Sequence, residues 1–179
     1  IDSNTTSGFS SMLSLNKKGG KFRFSISNYI ESDKYDINDL GYLRANNEIS
    51  NNINLSYHLL KPFKNIIDGT FELKSNYNQI YKPNKFNEIS ISQENRVTFK
   101  NRLSVNLKLK IKPTEGYDYY ETRLLDFESY FLKSKLYGIS SWISTDYRKN
   151  LALDFSLGTE YEPLYESYKY HYRISPLLR

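Results

Sequence analysis

Apolar and polar residues alternate with a period of two along most of this 179-residue chain. Successive side chains of a β-strand point to opposite faces, so this alternation indicates strands with one apolar and one polar face. No segment has the period of a helix. The pattern predicts an all-β chain of at least eight strands. The alternating runs begin at Phe9, Lys21, Ile49, Ile67, Val97, Tyr137, Leu151 and Ser167.

The longest alternating run extends from Val97 to Ile111, with Asn101 as the one polar residue on its apolar face. We expect a single strand here, about 45 Å long at roughly 3.3 Å per residue. Strands of soluble domains typically have about five or six residues. The run therefore favours a sheet larger than that of a small soluble sandwich.

The connections between the predicted strands differ in length. Short turns are predicted at Lys17–Gly20, Lys61–Ile66 and Arg148–Asn150, and long polar loops at Ser32–Asn47 and Tyr81–Glu94. Short turns at one rim and longer loops at the other are typical of an up-and-down membrane β-barrel. The segment 113–135 interrupts the alternation and contains a further candidate strand at 127–133.

The alternation alone fits two architectures. In a soluble sandwich or lipocalin-like barrel the apolar face is the core, whereas in a membrane barrel it contacts lipid. Strand length, the rhythm of the connections and the many Tyr residues near strand ends favour the membrane barrel. We predict an antiparallel up-and-down transmembrane β-barrel. Residues 1–179 would form a single domain, a segment of about eight to ten strands of a larger barrel; a complete eight-stranded barrel is the alternative.

Composition excludes several classes of protein and site. The chain has no Cys, which excludes disulfides and thiolate metal sites. Its two His residues leave little material for a His-based site, and we predict no catalytic residue, metal or cofactor. No apolar run approaches the roughly 20 residues that a membrane-spanning helix requires. The mean hydropathy of -0.65 averages an apolar face with polar loops and a polar face.

The chain starts at Ile1, without a charged and then apolar signal segment, and ends at Arg179. Bacterial outer-membrane barrels are made with a signal peptide and commonly end in an aromatic residue. We therefore expect this sequence to be a stretch of a larger protein.

Four segments of the chain are distinctive, namely Tyr35–Leu43 with its Asn-Asp-Leu-Gly loop, Asp118–Arg123, Ser144–Lys149 and Ser175-Pro176. Together they resemble an outer-membrane family of Bacteroidota known as domain of unknown function 5916. In that family a domain resembling family-9 carbohydrate-binding modules precedes a large C-terminal barrel. The resemblance implies a bacterial outer-membrane location, and it places any glycan binding in a domain outside this sequence. The positions that carry it are Asp36, Asn38, Asp39, Gly41, Glu121, Arg123, Asp146, Arg148, Lys149 and Pro176.

These positions also have local interpretations. Asp36, Asn38 and Asp39 offer oxygen ligands of the kind Ca²⁺ prefers, but their spacing completes no known calcium loop, and a structural loop is favoured. Glu121 and Arg123 would share a strand face if that segment is extended, and could then form an ion pair in the lumen or help to hold a loop inside the barrel. Asp146, Arg148 and Lys149 suit a hairpin end.

Lys100, Arg102, Lys108, Lys110 and Lys112 are predicted to form a basic stripe on the polar face of the long strand. With a net charge of +5, the stripe could favour anions in a lumen. We favour neutralisation by Asp68 and Glu72 on the preceding strand. Nucleic-acid binding is not expected, because the basic residues are spread along strands and match no recognised motif.

The sequence predicts an outer-membrane protein without enzymatic activity, acting as a membrane anchor or conduit. Its expected partners are outer-membrane lipid, an envelope protein complex, and glycan through the carbohydrate-binding-like domain outside this sequence. Two alternatives stay open. One is a surface hydrolase with its active site elsewhere, and the other is a soluble ligand-binding β-barrel.

Overall fold

A computed structural model describes residues 7–36, 46–124 and 127–178. It contains eleven strands and one 3₁₀ turn, Pro163–Tyr165. The strands are β1 (Ser10–Lys17), β2 (Phe22–Glu31), β3 (Glu48–Leu59), β4 (Ile66–Ile80), β5 (Phe86–Phe99), β6 (Ser104–Lys112), β7 (Gly116–Asp118), β8 (Phe131–Lys133), β9 (Leu136–Ser144), β10 (Leu151–Glu162) and β11 (Ser167–Leu178). In the described part of the chain, no helix is long and apolar enough to cross a bilayer.

Nine of these strands form one antiparallel sheet in the order β1-β2-β3-β4-β5-β6-β9-β10-β11. Each strand pairs with its neighbour in sequence, apart from the step from β6 to β9. There β7 and β8 pair with each other as a separate two-stranded sheet. The antiparallel all-β meander is therefore confirmed, and its nine strands fall within the expected eight to ten.

The sheet is open. Within the described residues, β1 pairs only with β2, and β11 pairs only with β10. The complete eight-stranded barrel, considered as an alternative, is therefore wrong for this chain, and these nine strands do not close on themselves. Each edge strand therefore keeps one row of backbone groups that no described strand pairs.

The pairing register places the alternating apolar residues of all nine strands on one side, which we call the apolar face. Cross-strand pairs on it include Leu55 with Leu73, Val97 with Val105, and Ile143 with Phe155. The opposite side, called the polar face, carries Ser, Asn and charged residues. No described segment covers the apolar face, and at its centre 43% of Leu73 is exposed. On the polar face, by contrast, 3% of Asn106 is exposed.

The predicted single strand from Val97 to Ile111 is wrong. Residues 100–103 form a hairpin turn between β5 and β6, in which Arg102 has a φ of 64°. In this hairpin Val97 pairs with Val105, so odd-numbered residues of β5 face odd-numbered residues of β6. Odd positions therefore lie on the apolar face in both strands, and the alternation continues unbroken through the turn.

The predicted long loop Tyr81–Glu94 is also wrong, because β5 already begins at Phe86. The apolar face of β5 contains Gln93 and Asn95 next to Ile89 and Ile91. These two polar residues weaken the alternation on which the prediction depended. In the ambiguous segment 113–135, β8 lies within the candidate strand at 127–133.

Candidate functional site: the two rims and the polar face

The links between strands separate into two rims. The turn rim comprises residues 17–21, 60–65, 100–103 and 145–150, all of them short. The loop rim comprises the described residues of the other four links, namely 32–36, 46–47, 81–85, 113–124, 127–135 and 163–166. Most buried side chains of the described residues lie on or beside the loop rim. They are Glu31, Ser32, Asn47, Ile80, Asn87, Tyr119, Ser134 and Leu136.

Asn47 connects two links of the loop rim. Its side chain is fully buried; Nδ2 donates to the Lys82 carbonyl at 2.8 Å, and Oδ1 accepts from the Lys82 N–H at 2.8 Å. Its backbone N–H donates to the Ser32 carbonyl at 3.3 Å, and its carbonyl accepts from the Tyr81 N–H at 3.0 Å. With a φ of 64°, Asn47 occupies the left-handed region, which Asn tolerates better than most residues. These contacts fix residues 81–85 against the start of β3.

Tyr120 connects a third link of the loop rim to Asn46 and Asn47. Its hydroxyl lies 3.0 Å from the Asn46 carbonyl and 3.2 Å from the Asn47 carbonyl, to which it can donate. Burial, reinforced by the nearby charges of Glu48 and Glu31, raises the pKa of Tyr120 well above its usual value. The phenol therefore stays protonated at physiological pH and keeps its donor role.

Aromatic rings extend this contact across the loop rim. Tyr117 contacts Tyr130 at 4.8 Å between ring centroids, Phe86 at 6.2 Å and Tyr119 at 6.4 Å. Most of these pairs are edge to face, which is a favourable geometry for aromatic rings. Lys85 Nζ lies 5.9 Å from the centre of the Tyr119 ring. The β7–β8 excursion is thus packed onto the end of β5.

Asp118 fixes the turn that presents Tyr120. One of its carboxylate oxygens accepts from the backbone N–H groups of Tyr120 and Glu121, each at 3.1 Å, and the other lies 2.8 Å from Lys133 Nζ. Burial alone would raise the pKa of Asp118, but the hydrogen bonds from Lys133 and Glu121 outweigh it and lower the pKa below its usual value. The carboxylate therefore stays charged at neutral pH.

The family-like positions are dispersed over the fold. Asp36 is exposed on the loop rim, whereas Asn38, Asp39 and Gly41 lie outside the described residues. Asp146 accepts from the Arg148 guanidinium at 2.7 Å on the turn rim, and its carbonyl accepts from the Lys149 N–H at 3.1 Å. Hydrogen bonds from Arg148 hold the pKa of Asp146 well below its usual range. Pro176 lies on the edge strand β11, opposite Leu153.

Glu121 and Arg123 were expected to share a strand face only if their segment is extended, and it is not extended. β7 ends at Asp118, and the chain turns as the Arg123 N–H donates to the Tyr120 carbonyl at 3.0 Å. Arg123 has a φ of 58°, which lies in the left-handed region and outside the extended region of regular strands. Both side chains are exposed. The turn forms because the Asp118 carboxylate accepts from two successive backbone N–H groups.

The predicted basic stripe is divided by the hairpin. Lys100 and Arg102 lie on the turn rim, while Lys108, Lys110 and Lys112 lie on the polar face of β6. The carboxylates that reach the lysines differ from those expected. Glu88 lies 2.6 Å from Lys112, and Glu160 lies 3.8 Å from Lys110. Glu72 instead contacts Lys74 at 2.8 Å, because both lie on the polar face of β4.

The charges on the polar face balance one another. The nine strands place eight basic residues there, namely Arg23, Lys74, Arg96, Lys108, Lys110, Lys112, Lys169 and Arg173. They also place nine acidic residues there, namely Glu31, Glu48, Asp68, Glu72, Glu88, Glu94, Asp154, Glu160 and Glu162. The face as a whole has no strong preference for anions, so the basic stripe does not dominate it.

A shallow pocket on the polar face is lined by Lys110, Glu160 and His171, among others. Gly158 makes room for the His171 ring, because a Cβ at Gly158 would lie 2.2 Å from His171 Cε1. Across residues 7–36, 46–124 and 127–178, no three His, Asp or Glu side chains are grouped so as to hold a metal ion. The pocket offers charged and hydrogen-bonding groups for polar solutes.

Sequence reasoning missed Asn47, Tyr120 and the concentration of basic residues on the turn rim. The signal for Asn47 was an Asn two residues before the predicted strand at Ile49, at the end of a polar loop, a position typical of a turn. Tyr120 lies inside one of the family-like segments. The basic residues of the turn rim became visible as a set only once the register had placed four separate turns at one end of the sheet.

A family model described as Domain of unknown function (DUF5916) matches residues 1–179, the whole chain. No curated protein and no solved structure matches the chain.

Proposed function

We propose that this chain, which belongs to the DUF5916 family, forms a sector of a transmembrane β-barrel in the bacterial outer membrane, acting there as an anchor or conduit. The observation that carries the proposal is the distribution of charge. Within the nine-stranded sheet every charged strand residue lies on the polar face, except Lys17 at the last position of β1. Lysine or arginine facing lipid at mid-membrane would cost roughly 2–4 kcal/mol, and such segregation is what this cost favours.

The exposure of side chains on the two faces also supports a sheet whose apolar face contacts lipid. Ile53, Leu73 and Leu157 are each more than 40% exposed near the middle of their strands. An apolar surface extending over nine strands far exceeds the few hundred Å² that a soluble monomer usually exposes. The polar side chains instead shield one another: Asn106 donates to Glu94 at 2.9 Å, and Asn54 donates to Glu72 at 2.8 Å. A sheet that curves around its polar face has this pattern.

Strand length and edges fit a barrel sector. A tilted transmembrane strand needs about 9–11 residues, and eight of the nine strands have nine or more. Within the described residues, the edges β1 and β11 offer unpaired backbone groups, which within a membrane must find partners. Further strands of the full-length protein would supply them, consistent with a barrel larger than nine strands.

Extraction of the full-length protein tests the proposal. We expect it to resist salt and alkaline washing of the outer-membrane fraction, to dissolve only in detergent, and to migrate differently on gels before and after boiling. Full solubility without detergent would contradict the proposal and favour a soluble β-sandwich or ligand-binding barrel.

A second measurement distinguishes a conduit from an anchor. Steady conductance across a planar bilayer would assign a conduit, whereas its absence from an inserted protein would assign an anchor. We propose that glycans bind through the carbohydrate-binding-like domain expected outside this chain. Glycan-array binding by the full-length protein that persists without that domain would contradict this. Hydrolysis of a bound glycan would favour the surface hydrolase.

A further inference from the structure

We propose that the turn rim binds the headgroups of anionic phospholipids, an inference that depends on the membrane orientation proposed above. Nine basic residues lie on this rim, and all are exposed: Lys17, Lys18, Lys21, Lys61, Lys64, Lys100, Arg102, Arg148 and Lys149. Its one acidic residue is Asp146, which is already paired with Arg148 at 2.7 Å. The turn rim therefore carries a net charge near +8.

The loop rim has no such excess. Its described residues include six basic side chains, Lys34, Lys82, Lys85, Arg123, Lys133 and Lys135. They also include seven acidic ones, Asp33, Asp36, Glu115, Asp118, Glu121, Glu128 and Glu166. Since the strand charges also balance, the positive charge of the described sheet is concentrated at one end.

The positive charges are close enough to act together. The four turns follow one another at one end of the sheet. Consecutive hairpins there lie two strands apart, about 10 Å at 4.8 Å per strand. This spacing is comparable to the Debye length of about 8 Å at physiological ionic strength. The Lys100 N–H also donates to the Asn65 carbonyl at 2.8 Å, which connects two of the turns directly. A flat anionic surface would therefore meet several basic groups at once.

Apolar residues beside the basic ones favour a lipid surface over a soluble anion. Phe63 is 57% exposed with Lys64 Nζ 5.4 Å from its ring centre, and Phe22 is 47% exposed with Lys17 Nζ at 5.9 Å. Tyr147 is also exposed beside Arg148. Aromatic rings with adjacent cationic groups are characteristic of the membrane–water interface, where the ring enters the acyl boundary and the cation contacts phosphate.

The test measures lipid preference of the full-length protein in bilayers, using spin-labelled phosphatidylglycerol and phosphatidylcholine as probes. The turn variant carries Lys18→Gln, Lys61→Gln and Lys149→Gln. The matched loop variant carries Lys34→Gln, Lys82→Gln and Arg123→Gln, and so loses the same charge from the other rim. Because one basic side chain near an anionic surface strengthens association about fivefold, we expect the turn variant to lose phosphatidylglycerol preference by tenfold or more.

The loop variant should retain the preference, and 0.5 M salt should reduce it in the wild type. Equal preference in the wild type and the turn variant, or an equal loss in both variants, would overturn the inference. Suppression by inorganic phosphate at constant ionic strength would also overturn it, by assigning a free-phosphate site. Failure of the wild type to enter any bilayer would instead refute the proposed function itself.

Discussion

Single residues hold the loop rim together, and Asn47 is bonded there to Ser32, Tyr81 and Lys82. Its side chain satisfies both backbone groups of Lys82 in a site without exposed surface. Leaving a buried backbone donor or acceptor unpaired costs roughly 1–3 kcal/mol, more than the net gain of an average hydrogen bond. Losing the contacts of Asn47 should therefore cost more free energy of folding than the same number of average hydrogen bonds contributes.

We expect Asn47→Ala to lower the free energy of unfolding in detergent by about 2 kcal/mol, measured by urea titration. Asn84→Ala is the matched control. Asn84 has a similar φ of 67°, but its side chain is exposed and accepts one hydrogen bond, from Gln79. Both substitutions introduce the same backbone strain, so the difference isolates the buried contacts. Equal losses would contradict this account of Asn47.

The ion pair of Asp118 makes the loop rim sensitive to acid. The pKa of Asp118 is lower in the folded protein than in the unfolded chain. The carboxylate of Asp118 therefore contributes fully to the stability of the fold above the unfolded pKa, which is near 3.9. That contribution is lost as pH falls through the folded pKa. We expect the thermal midpoint of the wild type to fall below pH 4 more steeply than that of Asp118→Asn. Parallel curves for the two proteins would contradict this prediction.

At the scale of strands, the sequence allowed most of the sheet to be predicted, because each strand places its apolar residues at every second position. The hairpin between β5 and β6 was hidden since its turn preserves parity and contains neither Gly nor Pro. The start of β5 was missed because Gln93 and Asn95 interrupt its apolar face. β7 and β8 span three residues each, too few for a period to be detected.

The loop-rim site was largely unpredictable for a related reason. Tyr120 and the Asn46 carbonyl are 74 residues apart in sequence, and no local pattern relates them. Alternation predicts the face of the sheet on which a side chain lies. Contacts between links depend instead on where each strand ends, which alternation does not define.

The two faces of one strand should respond differently to charge. Leu73 is the central residue of β4 and lies on the apolar face. Leu73→Lys should destabilise the protein in bilayers by about 2–4 kcal/mol, the cost of lysine at the membrane midplane. Asn76→Lys, on the polar face of the same strand, should change stability by less than about 1 kcal/mol. Similar effects at the two positions would contradict the assignment of the faces.

At the scale of the whole molecule, the described sheet has three surfaces of different chemistry. The apolar face is free of charge from β2 to β11, the polar face carries balanced charges, and the turn rim is strongly basic. A soluble sandwich would bury the apolar face under a second sheet, and Leu73→Lys would be costly there as well. Stability alone therefore does not separate the two architectures, and the medium in contact with the apolar face must be measured.

Spin labels along β4 measure that medium directly, and a chain without Cys suits single-cysteine labelling. The full-length protein, in a cysteine-free background and in bilayers, would carry one label at each position from 70 to 77. We predict that oxygen accessibility oscillates with a period of two and peaks at Phe71, Leu73, Ser75 and Tyr77, where a polar nickel reagent is excluded. Labels at these positions that neither reagent reaches, as in a packed core, or that the nickel reagent reaches best, would contradict the membrane orientation.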